Sequence, residues 1–153
     1  MIEGSAAVQT PRTPASFPLL ADDPPWGNIL VHQPSATEAL ELQRILRIGG
    51  YRTIGPVASA ADARRLLDGN EIDCAIIDAR AGFHLGSVFD ARGIPLVAVS
   101  SDAAGAVLWR ATGHQLVLRP YRPGDILRAL HRAMRGRRQG GLSATSAFVK
   151  RGP

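Results

Sequence analysis

Apolar and polar positions along the chain follow two rhythms. Short apolar runs bounded by Gly, Pro or charged residues predict strands, and apolar residues three and four apart predict helices. The clearest run is Ile72-Asp73-Cys74-Ala75-Ile76-Ile77-Asp78-Ala79-Arg80, in which four apolar residues lie between two carboxylates. A strand apolar on both faces belongs in a parallel sheet covered by helices on both sides. Four further runs read as strands: Asn28 to His32, Tyr51 to Val57, Ile94 to Ser100 and Gln115 to Leu118.

The intervening stretches carry helix signals. Ser35-Ala36-Thr37-Glu38 matches a capping box, with Ser35 as N-cap and Glu38 reaching back. Leu42, Ile45 and Leu46 follow at helical spacing, and Gly49-Gly50 stops the helix. Ser59-Ala60-Ala61-Asp62 is a second such box, opening a helix that Gly69 closes. A short helical stretch spans Ser87 to Arg92, and another spans Asp102 to Thr112 before Gly113. The last helix has Pro123 at its first position and Asp125 in its first turn, with Ile126, Leu130, Ala133 and Met134 on one face and Gly136 at its end. Five strands alternating with five helices predict an α/β fold with a doubly wound, five-stranded parallel sheet and right-handed crossovers.

Composition sets the limits of this domain. Residues 1–27 include Pro11, Pro14, Pro18, Pro24 and Pro25, which predicts an extended arm in front of a domain over 28–135. Residues 136–153 read as a flexible basic tail. The net charge is +5, but Asn28 to Arg135 holds 13 Arg against 10 acids, so part of the excess sits in that tail as Arg137, Arg138, Lys150 and Arg151. The pair Arg137-Arg138 is too short for a nucleic-acid patch, and a small nucleic-acid-binding protein using the tail is the remotest reading. No run approaches the roughly 18 apolar residues of a membrane span, and the N-terminus lacks a signal-peptide pattern. The single Cys74 fits a reducing cytoplasm and reads as a small buried hydrophobe.

Ligands collect at the carboxyl ends of the strands in such a sheet. That edge gathers His32, Gln33 and Pro34 after the first strand, Asp78 after the third, Ser100 after the fourth and Arg119-Pro120 after the fifth. Over Asn28 to Arg135 the pattern resembles the receiver domain of bacterial two-component response regulators. The likeness rests on Ile72 to Asp78, on Ile94 to Ser100 with its terminal hydroxyl, and on Arg119-Pro120-Tyr121. Ile54-Gly55-Pro56-Val57-Ala58-Ser59 and Ala91-Arg92-Gly93-Ile94-Pro95 resemble an alphaproteobacterial subgroup. The resemblance implies a flavodoxin-like sheet in strand order 2-1-3-4-5, and it makes Asp78 the equivalent of the phosphorylated aspartate. It makes Ser100 the hydroxyl that meets the phosphoryl group and Arg119, beside Pro120, the counterpart of a lysine that pairs with the phosphoryl oxygens. Leu116 stands where many members carry a switching aromatic.

The departures are chemical. The family's two Mg²⁺-binding acids correspond to Gln33 and Pro34, neither of which is a carboxylate. Mg²⁺ is ordinarily held by one or two carboxylates with waters, so magnesium binding is expected to be weak or absent and no cofactor is expected. A guanidinium at position 119 can instead reach Asp78 directly. These features imply an atypical, stand-alone receiver, a non-enzymatic module of phosphorelay signalling that binds a histidine kinase or a downstream regulator. An ordinary phosphoacceptor, labelled on Asp78 by a histidine kinase, is the alternative. The fourth helix, fifth strand and fifth helix are the expected working surface and possible homodimer face, through Trp109, Arg110, Tyr121 and Leu127, although Trp109 reads equally well as a ring half-covered by its own fold. His32 and His84 lack metal-site spacing and read as ordinary loop histidines.

Overall fold

The computed structural model describes residues 26–136. The arm, apart from Trp26 and Gly27, and the tail beyond Gly136 lie outside them. The elements in order are β1 (Asn28–His32), α1 (Ala36–Ile48), β2 (Arg52–Val57), α2 (Ala60–Gly69), β3 (Cys74–Asp78), α3 (Leu85–Ala91), β4 (Leu96–Ser100), α4 (Ala103–Ala111) and β5 (Gln115–Leu118). A fifth helix, α5, runs from 123 to 136, the last residue described. The five strands form one sheet in the order β2-β1-β3-β4-β5, every pair parallel. This is the doubly wound parallel sheet that the hydrophobic rhythm predicts, in the flavodoxin-like order that the resemblance implies. Element ends move by one or two residues; the third helix starts at Leu85 rather than Ser87.

Side chains on a strand alternate between faces, and the two cores follow that alternation. Ile29, Val31, Cys74, Ile76, Val97, Val99 and Val117 pack with Leu42, Ile45 and Leu46 of α1 and Ile126 and Leu130 of α5. Leu30, Ala75, Ile77, Leu96 and Ala98 pack on the other side with Leu67 of α2, Leu85 and Phe89 of α3, and Trp109 of α4. The alternation, followed through the strand ends and one step past β1 and β5, sends Gln33, Asp78 and Arg119 toward the α1/α5 layer and Ser100 and His32 toward the α2–α4 layer.

Both predicted N-caps are present: Ser35 Oγ accepts from the Glu38 N–H, and Ser59 Oγ from the Asp62 N–H. The first box is only half formed, because the Ser35 N–H donates to Gln33 Oε1 and the Glu38 carboxylate goes elsewhere. At α5 the Asp125 carboxylate reaches back to the Arg122 N–H. Trp26 anchors the start of the domain: its N–H donates to the Gly50 carbonyl, and its ring covers Gly50, whose φ of +89° and lack of a side chain the contact requires.

Trp109 corrects the sequence expectation. It is 1% exposed and belongs to the core, not to a partner surface. Ala106 and Trp109, one turn apart, form the buried face of α4, which leaves Val107, Leu108 and Arg110 outward. The indole Nε1–H donates to the Ala79 carbonyl at 2.9 Å, and the ring meets Phe83 edge-on. Replacing Trp109 by Ala should lower the unfolding free energy by about 3–5 kcal/mol. Trp109→Phe keeps most of the packing and strands one carbonyl, for a loss of about 1–3 kcal/mol. Urea unfolding measures both, and a surface tryptophan would give almost no change.

Candidate functional site

The site lies at the carboxyl ends of β1, β3, β4 and β5. Asp78 closes β3; its Oδ2 accepts from the Ala81 N–H at 2.8 Å, which shapes the following loop, and its Oδ1 accepts from Arg119 Nη2 at 2.9 Å. Arg119 is held first by its backbone, whose N–H donates to the Ser100 carbonyl at 2.8 Å. The guanidinium Nε–H is shared between both oxygens of Glu38, at 2.9 Å each. Tyr121 adds a third tie, donating its hydroxyl to Glu38 Oε2 at 2.9 Å. The three charged side chains are 16%, 24% and 18% exposed for Asp78, Arg119 and Glu38. Each ion pair is therefore largely shielded from water, where charge-assisted hydrogen bonds are strongest.

These contacts set the titration behaviour. Burial opposes the charge on Arg119, but the hydrogen bonds and negative charges of Glu38 and Asp78 outweigh it and raise its pKa. The Tyr121 phenol is pushed well above its usual range by burial first and by the Glu38 carboxylate second. Both groups keep their protons at any physiological pH.

Glu38 is the site residue that sequence reasoning missed. It reads as the closing acid of a capping box, and its carboxylate instead leaves the helix terminus to meet Arg119 and Tyr121. Because α1 packs on the face toward which Asp78 and Arg119 point, an acid in its first turn is within reach of both. Asp78 is thus not the only carboxylate in the pocket, as the strand ends alone suggest.

The remaining predicted residues fall as follows. Gln33 is buried; its Oε1 is taken by the Ser35 N–H, and its Nε2 has no partner. Pro34 and Pro120 are exposed. Ser100 is buried and both donates to the Asp102 carbonyl and accepts from the Asp102 N–H, at 3.0 Å each. The N-cap of α4 is Asp102, which accepts from the Ala104 N–H. On the expected partner face Arg110 is exposed, whereas Tyr121 turns inward and Leu127 packs against the α1/α5 core beside Gly49. The outward apolar groups there are Val107, Leu108 and Leu118. A cavity of about 400 Å³ opens beside Asp78, Ser100 and Arg119, with Phe83, Leu108 and Trp109 in its wall. Among the described residues no group of three or more His, Cys, Asp or Glu is arranged to hold a metal ion, and no helix is long and apolar enough to cross a membrane.

His32 is buried against the β3–α3 loop, its Nδ1 without a partner. Gly82 is packed so closely there that an added Cβ would lie 3.0 Å from the Asp78 carbonyl oxygen and 3.1 Å from His32 Nδ1. Burial lowers the His32 pKa below 6.5, the Asp78 charge opposes that shift, and His84 adds to it. The unfolded chain therefore binds this proton more readily, and stability falls as pH drops through about 6.5 toward the native value. Chemical denaturation at about pH 7.5 and about pH 5.5 should show that loss, and His32→Gln should make the dependence shallower. An unchanged slope in the variant would mean that His32 titrates normally.

The chain matches no protein-family model and none of the curated proteins. Solved structures resemble it. A response regulator receiver domain from Clostridium thermocellum superposes with a TM-score of 0.66 at 19% identity, covering 74% of this chain and 98% of that one. The receiver domain of a signal transduction histidine kinase from Syntrophus aciditrophicus gives 0.60 at 26% identity, covering 72% and 91%. The receiver domain of a Pseudomonas aeruginosa sensor histidine kinase gives 0.62 at 20% identity, covering 71% and 97%, and that structure has a magnesium ion coordinated in its active-site cleft. The fold is that of the receiver domains of two-component signalling.

Proposed function

We propose that this chain is an atypical receiver, a non-enzymatic phosphorelay module that acts by binding a partner protein rather than by metal-assisted phosphorylation. The observation that carries this reading is the Arg119 guanidinium set between the carboxylates of Asp78 and Glu38, 2.9 Å from each. Phosphoryl transfer depends on positioning and on neutralising the transferred oxygens, and a metal ion supplies much of that. The residues here do not fit Mg²⁺. Pro34 offers no side-chain oxygen, the Gln33 amide oxygen already accepts from Ser35, and both nearby carboxylates pair with a cation. A dication entering the pocket would have to displace a guanidinium that repels it.

The partner in this reading is a histidine kinase or a downstream regulator in a bacterial cytoplasm, a setting consistent with the single buried thiol of Cys74. It would dock on α4, β5 and α5, where Val107, Leu108, Arg110 and Leu118 face outward. The same face is the proposed route to a homodimer. Asp78 and Ser100 at the strand ends favour the second reading, an ordinary phosphoacceptor labelled on Asp78.

Intact mass after incubation with acetyl phosphate and Mg²⁺ separates the two. The natural chain should stay unlabelled, and the triple variant Gln33→Asp, Pro34→Asp, Arg119→Lys should gain one phosphoryl group that Asp78→Asn removes. Asp78→Asn in the natural chain should leave partner binding nearly unchanged. Ready labelling of the natural chain would support the phosphoacceptor reading instead.

A further inference from the structure

We propose that Arg119 is the resident cation of this pocket, the counter-ion that Asp78 and Glu38 share in place of a bound metal, and that Glu38 is the positioning residue that keeps it there. The inference rests on the reading of the pocket as one that works without a metal, and it adds a defined charge exchange. A guanidinium has five N–H donors in a planar fork and cannot be deprotonated in a protein. Here the Nε edge serves Glu38 on α1 and the Nη2 edge serves Asp78 on β3. One positive charge thus lies between two negative ones that come from different layers of the fold.

Asp78 alone would not fix this geometry. It gives the guanidinium one oxygen, and its other oxygen is spent on the Ala81 N–H. Glu38 contributes both oxygens and is itself fixed by the Tyr121 hydroxyl. The anchor therefore links the first turn of α1 to the segment between β5 and α5, with Arg119 in the middle. The Gln33 amide oxygen already accepts from the Ser35 N–H, so it is not free to serve as a ligand to a metal ion.

Removing the resident charge should uncover its site. In Arg119→Met the stem is replaced by a neutral side chain, and Glu38 and Asp78 are left as two partly buried carboxylates with no counter-ion. Mn²⁺, followed by water-proton relaxation, should bind this variant at least about tenfold more tightly than the natural chain, since a single charge a few ångströms away changes affinity by that much or more. Adding Glu38→Gln to Arg119→Met should abolish the gain. Equal Mn²⁺ binding by the natural chain and a folded Arg119→Met variant would overturn the proposal, as would a gain that survives loss of Glu38. If circular dichroism shows that Arg119→Met does not fold, Glu38→Gln alone is decisive. Its Arg119 Nε–H should exchange with solvent at least about tenfold faster than in the natural chain, and unchanged exchange would overturn the anchoring role. These outcomes do not depend on phosphorylation, so labelling of the natural chain by acetyl phosphate would defeat the functional reading and leave the charge exchange to be judged by Mn²⁺ alone.

Discussion

A guanidinium held between two carboxylates organises the functional end of this molecule. Arg119 joins β5 to β3 through Asp78 and to α1 through Glu38, and its own backbone N–H is bonded to β4 at Ser100. Four elements meet at one residue. Desolvating three charges offsets much of their attraction, so the cluster need not contribute much net stability. What it supplies is specificity of arrangement, since removing any one member would leave a partly buried charge with too few partners. Tyr121 shows the reach of this constraint: the ring is held inward by its hydroxyl bond to Glu38 and is withdrawn from the outer surface.

The sheet explains why these groups share one edge. Its strict alternation puts Asp78 and Arg119 over the α1/α5 core and Ser100 over the α2–α4 core, so the pocket straddles both layers. On the second side Trp109 ties α4 to the β3–α3 loop through the Ala79 carbonyl, one residue beyond Asp78. The loop that follows the acid is therefore held between the indole on one side and the close packing of Gly82 on His32 on the other. In the proposed function this rigidity presents one fixed surface to a partner, and the outward residues of α4 and β5 are available to make it.

Much of this was legible in the residues. The apolar runs of β1, β3 and β4, the Ser35 and Ser59 caps and the terminal positions of Asp78, Ser100 and Arg119 all follow from period and punctuation. A parallel sheet then puts the strand ends on one edge, and the order implied by the family resemblance makes those of β1, β3, β4 and β5 neighbours. Two things were not legible, for physical reasons. Glu38 obeys the capping-box spacing, and spacing cannot tell whether a carboxylate turns back to its own helix or outward to a guanidinium contributed from 81 residues away. Trp109 sits on a short helix rich in alanine, with apolar Val107 and Leu108 beside it, so a hydrophobic pattern alone does not choose the buried face. The choice is made by the Ala79 carbonyl and by the space left above Gly86, against which the indole packs.

The central claim is that Glu38 and Arg119 act as a unit, and a double-mutant cycle measures this directly. Unfolding free energies of the natural chain, Glu38→Gln, Arg119→Gln and the double variant give the coupling between the two side chains. A coupling of about 1 kcal/mol or more is expected for a charge-assisted pair this well shielded. Additivity within about 0.3–0.5 kcal/mol would mean that the two groups are independent and would contradict the resident-cation pocket.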